Sequence, residues 1–179
     1  MITIVEPNKK YNCNKWHDDI TEWDDHFKVF LAGTIDNGDS SNWQRDVITE
    51  CALYHEWLDD AMDDDPSFGD FVIYNPRRDD WDANFGEEEV EKQIKWEQEK
   101  LDDADLIVMV LLPGSKSPVS MLELGLYGQT GKVAVFTTPE FYRYSNIKLT
   151  CEKYGIPMFN TVAPIDIMKY IKQIYDELY

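Results

Sequence analysis

The sequence predicts a doubly wound α/β domain, in which helices cover both faces of a parallel sheet of about five strands. Three observations favour this fold class. Short apolar runs alternate with segments of helical periodicity along most of the 179 residues. The runs are apolar throughout, which is typical of parallel strands buried on both faces. Polar or Gly-containing loops follow the runs, as in flavodoxin-like or Rossmann-like domains, whose ligands bind beyond the carboxyl ends of the strands.

The strands follow from the apolar runs. Five are predicted, at residues 28–33, 71–74, 106–112, 132–137 and 158–159. Residues 106–112 form the most apolar run and should be the central strand. Residues 1–27 are polar, with a short β-like start at residues 2–5. We interpret them as an extension or small hairpin attached to an α/β domain of residues 28–179.

Five helices are expected between and after these strands, at residues 41–60, 87–101, 117–129, 141–154 and 164–179. Ser41 and Gln44 form a capping-box pattern at the start of the first helix. Acidic residues open the second helix, where the helix dipole favours them. Gly155 follows the fourth helix, and Pro164 opens the last, both at positions typical of these residues.

Charge and cysteine content exclude several function classes. Asp and Glu number 35 against 17 Lys and Arg, which gives a net charge of −18. That field repels duplex nucleic acid and anionic membrane surfaces, although one local pocket can still accept a small phosphorylated ligand. Cys13, Cys51 and Cys151 form neither a CxxC pair nor a zinc spacing. With no membrane-spanning run and no signal-peptide pattern, we expect a reduced, cytoplasmic environment.

Motifs for common cofactors and nucleophiles are missing from the sequence. No GxGxxG and no GxxxxGK[ST] follows a strand. None of the three histidines, His17, His26 and His55, stands beside a plausible nucleophile. The acidic run at residues 63–65 lacks a metal-ligand pattern and is better explained as a solvated loop. We therefore expect neither a metal nor a cofactor.

Candidate binding residues follow the first two strands. Gly33, Thr34 and Ile35 end the first strand, where glycine allows backbone to approach a ligand or simply forms a tight turn. Asn75 and the arginines Arg77 and Arg78 follow the second strand. The arginines could hold a phosphate, or pair with the neighbouring acids Asp79, Asp80 and Asp82.

The loop after the central strand is the third candidate. Ser115 and Ser117 precede a helix N-terminus, which is suited to an anion or a sugar. Glu123 is expected in the first helical turn, where the dipole would keep a carboxylate nucleophile ionised. Alternatively, Ser120 and Glu123 form only a capping box. Glu97, on the preceding helix, is either a functional acid or one more exposed acid on an acidic helix.

Taken together, these segments resemble the nucleoside 2-deoxyribosyltransferase-like family. The resemblance runs from about residue 29 to residue 154, through VFLAGTID, YNPRRDDWD, QIKWEQEKLDDADLI, SPVSMLELG, GKVAVF and FYRYSN. It implies that Glu123, in the ELG motif, attacks the anomeric carbon of a 2-deoxyribosyl group. The covalent glycosyl-enzyme then passes the sugar to a second base or to water. Glu97 would donate a proton or a hydrogen bond to the departing base.

The chain departs from the family pattern at three positions. Phe30 stands where many transferases carry a tyrosine that orients the nucleophile, so Tyr127, one turn after Glu123, is a candidate replacement. Ser117 stands where many carry an aspartate that grips the sugar 5′-hydroxyl, and a serine can donate to a 5′-phosphate. Glu97 stands where an aspartate is common, so base preference is not implied.

Three functions follow from the resemblance and its departures. The first is transfer of 2-deoxyribose between bases, and the second is hydrolysis of nucleoside 5′-monophosphates, as in a related branch of the family. The third is a catalytically silent nucleotide-binding module, for which neither Glu97 nor Glu123 would be needed. The family usually completes each site from a neighbouring subunit, which implies a homodimer or larger assembly, with Asn146 as the closest match to the donated residue.

Overall fold

The computed structural model describes residues 2–12, 26–36, 39–61, 70–79 and 85–178. Cys13, His17, residues 63–65, Asp80 and Asp82 lie outside the described residues. The strands are β1 (Ile2–Glu6), β2 (Lys9–Asn12), β3 (Phe27–Gly33), β4 (Phe71–Tyr74), β5 (Leu106–Leu111), β6 (Val133–Thr137) and β7 (Met158–Phe159). The helices are α1 (Trp43–Ala61), α2 (Glu87–Asp103), α3 (Pro118–Tyr127), α4 (Tyr144–Tyr154) and α5 (Pro164–Leu178).

The strands form one sheet in the order β2-β1-β4-β3-β5-β6-β7. All neighbouring strands are parallel except β1 and β2, which pair antiparallel at one edge. β5 lies between β3 and β6, and every one of its residues is buried. The predicted parallel α/β sheet with a central, wholly apolar strand is therefore confirmed.

The first two strands extend the sheet beyond the five predicted from the apolar runs. β1 pairs with β4 along its length, from Ile2 opposite Phe71 to Val5 opposite Tyr74. Ile2 and Ile4 are 0% exposed and belong to the same core as β3 and β5. The N-terminal hairpin is thus part of the sheet.

Helices cover both faces of the sheet. α1 and α5 bury Trp43 and Ile167, among others, in one core, while α2, α3 and α4 bury Leu101, Leu124 and Ile147 in the other. Side chains of β3 alternate between these two cores, as strand geometry requires. In the described part of the chain, no helix is long and apolar enough to cross a bilayer. Cys51 and Cys151 are both buried.

Two predicted capping boxes are wrong. α1 begins at Trp43, and Asn42 caps it by accepting the Arg45 amide hydrogen at 3.1 Å. The Gln44 side chain points into the core, where its amide has no hydrogen-bond partner among the described residues. α3 begins at Pro118 after Ser117, so Ser120 and Glu123 lie inside the helix. Glu123 therefore falls beyond the first turn and closes no helix end.

Gly33 lies at a close crossing between β3 and β5. Its φ is +135°, and an added Cβ would lie 2.0 Å from the Val110 carbonyl oxygen. We expect Gly33→Ala to destabilise the protein by about 3 kcal/mol or more, since both the backbone strain and the clash must be relieved. The control is Gly125→Ala, which meets nothing within 4 Å. That change removes a glycine from α3 and should stabilise by about 0.5–1 kcal/mol. Chemical denaturation measures both, and equal midpoints for the two variants would contradict this assignment.

Candidate active site

A cavity of about 390 Å³ opens at the carboxyl end of the sheet, between α2 and α3. Its walls come from β3 and the loop that follows it, from the loop after β4, and from the facing sides of the two helices. A volume of this size suits a small organic ligand. The predicted residues Gly33, Ile35, Arg78, Ser117, Glu97 and Glu123 all line it.

Glu97 and Glu123 bring two carboxyl groups into this cavity from opposite helices. Gln93 lies one turn before Glu97 and its amide donates to the Glu97 carboxylate at 2.7 Å and to the Pro76 carbonyl at 2.9 Å. This contact holds Glu97 toward the cavity. The interpretation of Glu97 as one more solvated acid does not fit this position, because its side chain is largely covered.

Burial shifts both carboxyl groups toward the protonated form. It raises the pKa of Glu97, and the hydrogen bond from Gln93 only partly opposes this. Burial together with the negative charge of Glu97 raises the pKa of Glu123 to about 7. The expectation that the helix dipole would dominate at Glu123 is wrong, because the residue lies beyond the first turn of α3 and faces another acid. Two such acids can share one proton near neutral pH.

A chain of hydrogen-bonded hydroxyl groups lies beside the cavity. The Thr34 and Ser117 hydroxyls are 2.7 Å apart, and those of Ser117 and Ser115 are 2.8 Å apart. Ser115 also donates to the Asp36 carboxylate at 2.7 Å, while the Leu112 amide donates to Thr34 at 3.0 Å. Thr34, Ser115 and Ser117 are buried, whereas Asp36 is exposed. Ser117 and Asp36 form this wall of the cavity.

Asp36 and Ser117 also share an uncommon backbone conformation. Their φ angles are +48° and +43°, and among the described residues they are the non-glycine positions with positive φ. Each such residue costs of order 1–3 kcal/mol and persists only where the surrounding structure holds it. Both residues lie where the loop after β3 meets the start of α3. The surrounding structure therefore holds the backbone in a fixed conformation at this wall of the cavity.

The two arginines separate in the structure. Arg77 is buried and donates to the Ser40 carbonyl at 2.8 Å and the Ser41 carbonyl at 3.0 Å, so it secures the loop before α1. Arg78 lines the cavity, lies 4.7 Å from the centre of the Phe85 ring, and pairs with Glu89 at 3.3 Å. Arg78 thus pairs with an acid of α2, which the sequence did not suggest.

Three further predicted residues lie away from the cavity walls. Asn75 joins β4 to β1 by donating to Glu6 at 3.0 Å. The Tyr127 hydroxyl donates to Asp102 at 2.8 Å, so the expectation that it orients Glu123 is wrong. Asn146 is exposed on α4, where its role toward a neighbouring subunit stays a prediction.

Sequence reasoning missed three polar residues of the cavity. Gln93 stands four positions before Glu97, a spacing that places both on one helix face and could have revealed it. Ser120 stands three positions before Glu123, a spacing that likewise places both residues on one helix face. Asp36 ends the LAGTID segment, but nothing local to that segment shows that its carboxylate accepts a hydrogen bond from Ser115, in the loop that follows β5.

Comparisons with known proteins bear on the same part of the chain. Residues 26–141 match the family model described as nucleoside 2-deoxyribosyltransferase like. Among solved structures, the chain is similar to RosB, crystallised with the bound intermediate 8-demethyl-8-formylriboflavin-5′-phosphate. That match has 12% sequence identity and a TM-score of 0.42, and covers 85% of this chain and 81% of that chain. No curated protein matches the sequence.

Proposed function

Since this chain belongs to the nucleoside 2-deoxyribosyltransferase-like family, we propose that it cleaves the N-glycosidic bond of a deoxynucleoside and transfers the 2-deoxyribosyl group to another base. The observation that carries the proposal is the pair of largely covered carboxyl groups, Glu97 and Glu123, that face one cavity from two helices. A paired acid and nucleophile is the arrangement that glycosyl transfer with retention requires.

In the first step, ionised Glu123 attacks the anomeric carbon from the side opposite the base. The C–O bond to Glu123 forms as the C–N bond breaks, and the electron pair of that bond goes to the base nitrogen. Glu97 donates its proton to the departing base. In the second step the incoming base attacks the same carbon, displaces the Glu123 carboxylate and returns a proton to Glu97.

The two acids interact, and this division of roles requires the shared proton on Glu97. A negative Glu97 raises the pKa of Glu123. Protonation of Glu97 removes that charge, so it lowers the pKa of Glu123 and favours its ionised form. With one proton on the pair, the state that holds it on Glu97 has both the acid and the nucleophile ready.

The second candidate is hydrolysis of a nucleoside 5′-monophosphate. Arg78 favours it, because this cation lines the cavity. Arg77 gives it no support, since its guanidinium holds the loop before α1. For either reaction we propose a homodimer or larger assembly, which rests on the family resemblance at Asn146.

An exchange assay separates the candidates. The purified protein is incubated with a deoxynucleoside or a deoxynucleoside 5′-monophosphate, with and without a second base, and the products are separated by chromatography. We expect a new nucleoside only when the second base is present. Release of base and sugar phosphate from the monophosphate alone would support the second candidate. Binding without release of base from any substrate would support the third function, a catalytically silent nucleotide-binding module.

A further inference from the structure

The hydrogen bonds that join the hydroxyl groups beside the cavity all run in one direction, from donor to acceptor. A carboxylate only accepts hydrogen bonds, so the single hydroxyl hydrogen of Ser115 is committed to Asp36. The Ser117 hydroxyl must then donate to Ser115, and Thr34 must donate to Ser117. Thr34 in turn accepts from the Leu112 amide. Every donor in the chain points toward Asp36.

This direction decides what Ser117 can offer a ligand. Its hydroxyl hydrogen and its backbone amide are both directed at Ser115. The expectation that Ser117 would donate to a 5′-phosphate therefore does not fit the structure. A ligand that reaches this wall of the cavity meets oxygen lone pairs and, at Asp36, a negative charge.

The positions of the two candidate catalytic residues indicate how a bound nucleoside is oriented relative to this wall. Glu97 lies on α2, so the base of a bound nucleoside lies toward α2. Glu123 lies on α3, so the sugar lies toward α3. Ser117 directly precedes α3 and is linked to Asp36 through Ser115, and both Ser117 and Asp36 line the cavity. The proposed reaction thus places the sugar between Glu123 and the Asp36 wall, with its end remote from the glycosidic bond against that wall.

Resting on the proposed function, we propose that Asp36 is a specificity-determining residue that accepts a hydrogen bond from the free 5′-hydroxyl of the sugar and excludes a 5′-phosphate. A hydroxyl supplies the donor that this wall lacks, whereas a phosphate brings like charge against a carboxylate, which interfaces use to reject wrong partners. Asp36, in the loop after β3, thus supplies a carboxylate beside Ser117, the position at which many transferases carry an aspartate. Arg78 also lines the cavity, but it is paired with Glu89 of α2.

The test compares Asp36→Asn with Asp39→Asn. Asparagine keeps the size of the side chain, removes its charge and tolerates the left-handed backbone at position 36. Asp39 is an exposed acid of the same loop and does not line the cavity, so it is a matched control. The quantity measured is kcat/KM for a deoxynucleoside divided by kcat/KM for its 5′-monophosphate. Calorimetry of both ligands with each protein gives the corresponding ratio of dissociation constants, which requires no turnover.

We expect the wild-type protein to prefer the nucleoside by at least about tenfold, and Asp36→Asn to reduce that preference by at least about tenfold. Asp39→Asn should leave it unchanged. An unchanged ratio in Asp36→Asn, or a wild-type preference for the monophosphate, overturns the assignment. Exchange of nucleosides with an unchanged ratio overturns Asp36 alone. Selective binding without turnover overturns the proposed function but keeps Asp36 as the selecting residue, and binding of neither ligand overturns both.

Discussion

Glu123→Gln should reduce sugar transfer by at least about a thousandfold, the scale seen when a covalent nucleophile is removed. An amide cannot form the glycosyl ester through which both half-reactions pass, so no second base rescues the variant. The assay is base exchange under single-turnover conditions, with protein in excess of substrate. Glu152→Gln is a matched control, since it makes the same change at an exposed glutamate of α4.

The covalent step can be observed directly. A 2-fluoro-arabino nucleoside slows breakdown of the glycosyl-enzyme, because fluorine disfavours the oxocarbenium-like transition state. We expect the wild-type protein to gain the mass of one fluorinated sugar on the peptide that contains Glu123. Turnover of Glu123→Gln near the wild-type rate, or label on another peptide, would falsify the assignment.

A folding control separates lost chemistry from lost structure. The pKa of the Glu123 carboxyl is about 7 in the folded protein against an ordinary value of 4.5. Folding therefore favours the protonated form, and the native state is destabilised progressively as the pH rises from about 4.5 through 7. Glutamine carries no such charge. At pH 8 we thus expect Glu123→Gln to be at least as stable as the wild-type protein toward denaturant, although it is inactive.

Glu97→Gln should lower kcat by roughly 10²–10⁴, the range for loss of a general acid. The loss should depend on the leaving base, because a base that departs readily without protonation needs the acid least. Glu99→Gln is the control, since Glu99 lies on the same helix with its side chain 70% exposed. Rates for a series of deoxynucleosides with better and worse leaving bases measure the effect.

The pH profile gives an independent test of the same residue. Glu123 must be ionised to attack, so kcat/KM of the wild-type protein should fall as the pH drops below about 7. Glu97 contributes to that value through its charge. Glu97→Gln removes the charge, so the acidic limb should move to lower pH. A uniform loss for all leaving bases with an unmoved acidic limb would show that Glu97 only supports the structure.

Much of this protein is determined by its sequence alone. Uninterrupted apolar runs such as residues 106–112 specify buried parallel strands, since no exposed face needs polar residues. Strand-end placement pointed to Glu123, and the family resemblance pointed to both Glu97 and Glu123, which the folded chain brings to one cavity. Periodicity and strand-end position are local properties, and both can be assessed within a window of a few residues.

Only the tertiary structure decided which groups the other polar residues meet. Ser115 and Asp36 are 79 positions apart, and Thr34 and Ser117 are 83 apart, yet each pair is joined by a hydrogen bond. The same holds for Arg77 with Ser40, at 37 positions. A side chain with several possible partners takes those that the strand order brings within reach, and no local pattern carries that order. For this reason the sequence identified the two acids, whereas the directions of the donors beside them, and hence the role of Asp36, emerge only from the folded chain.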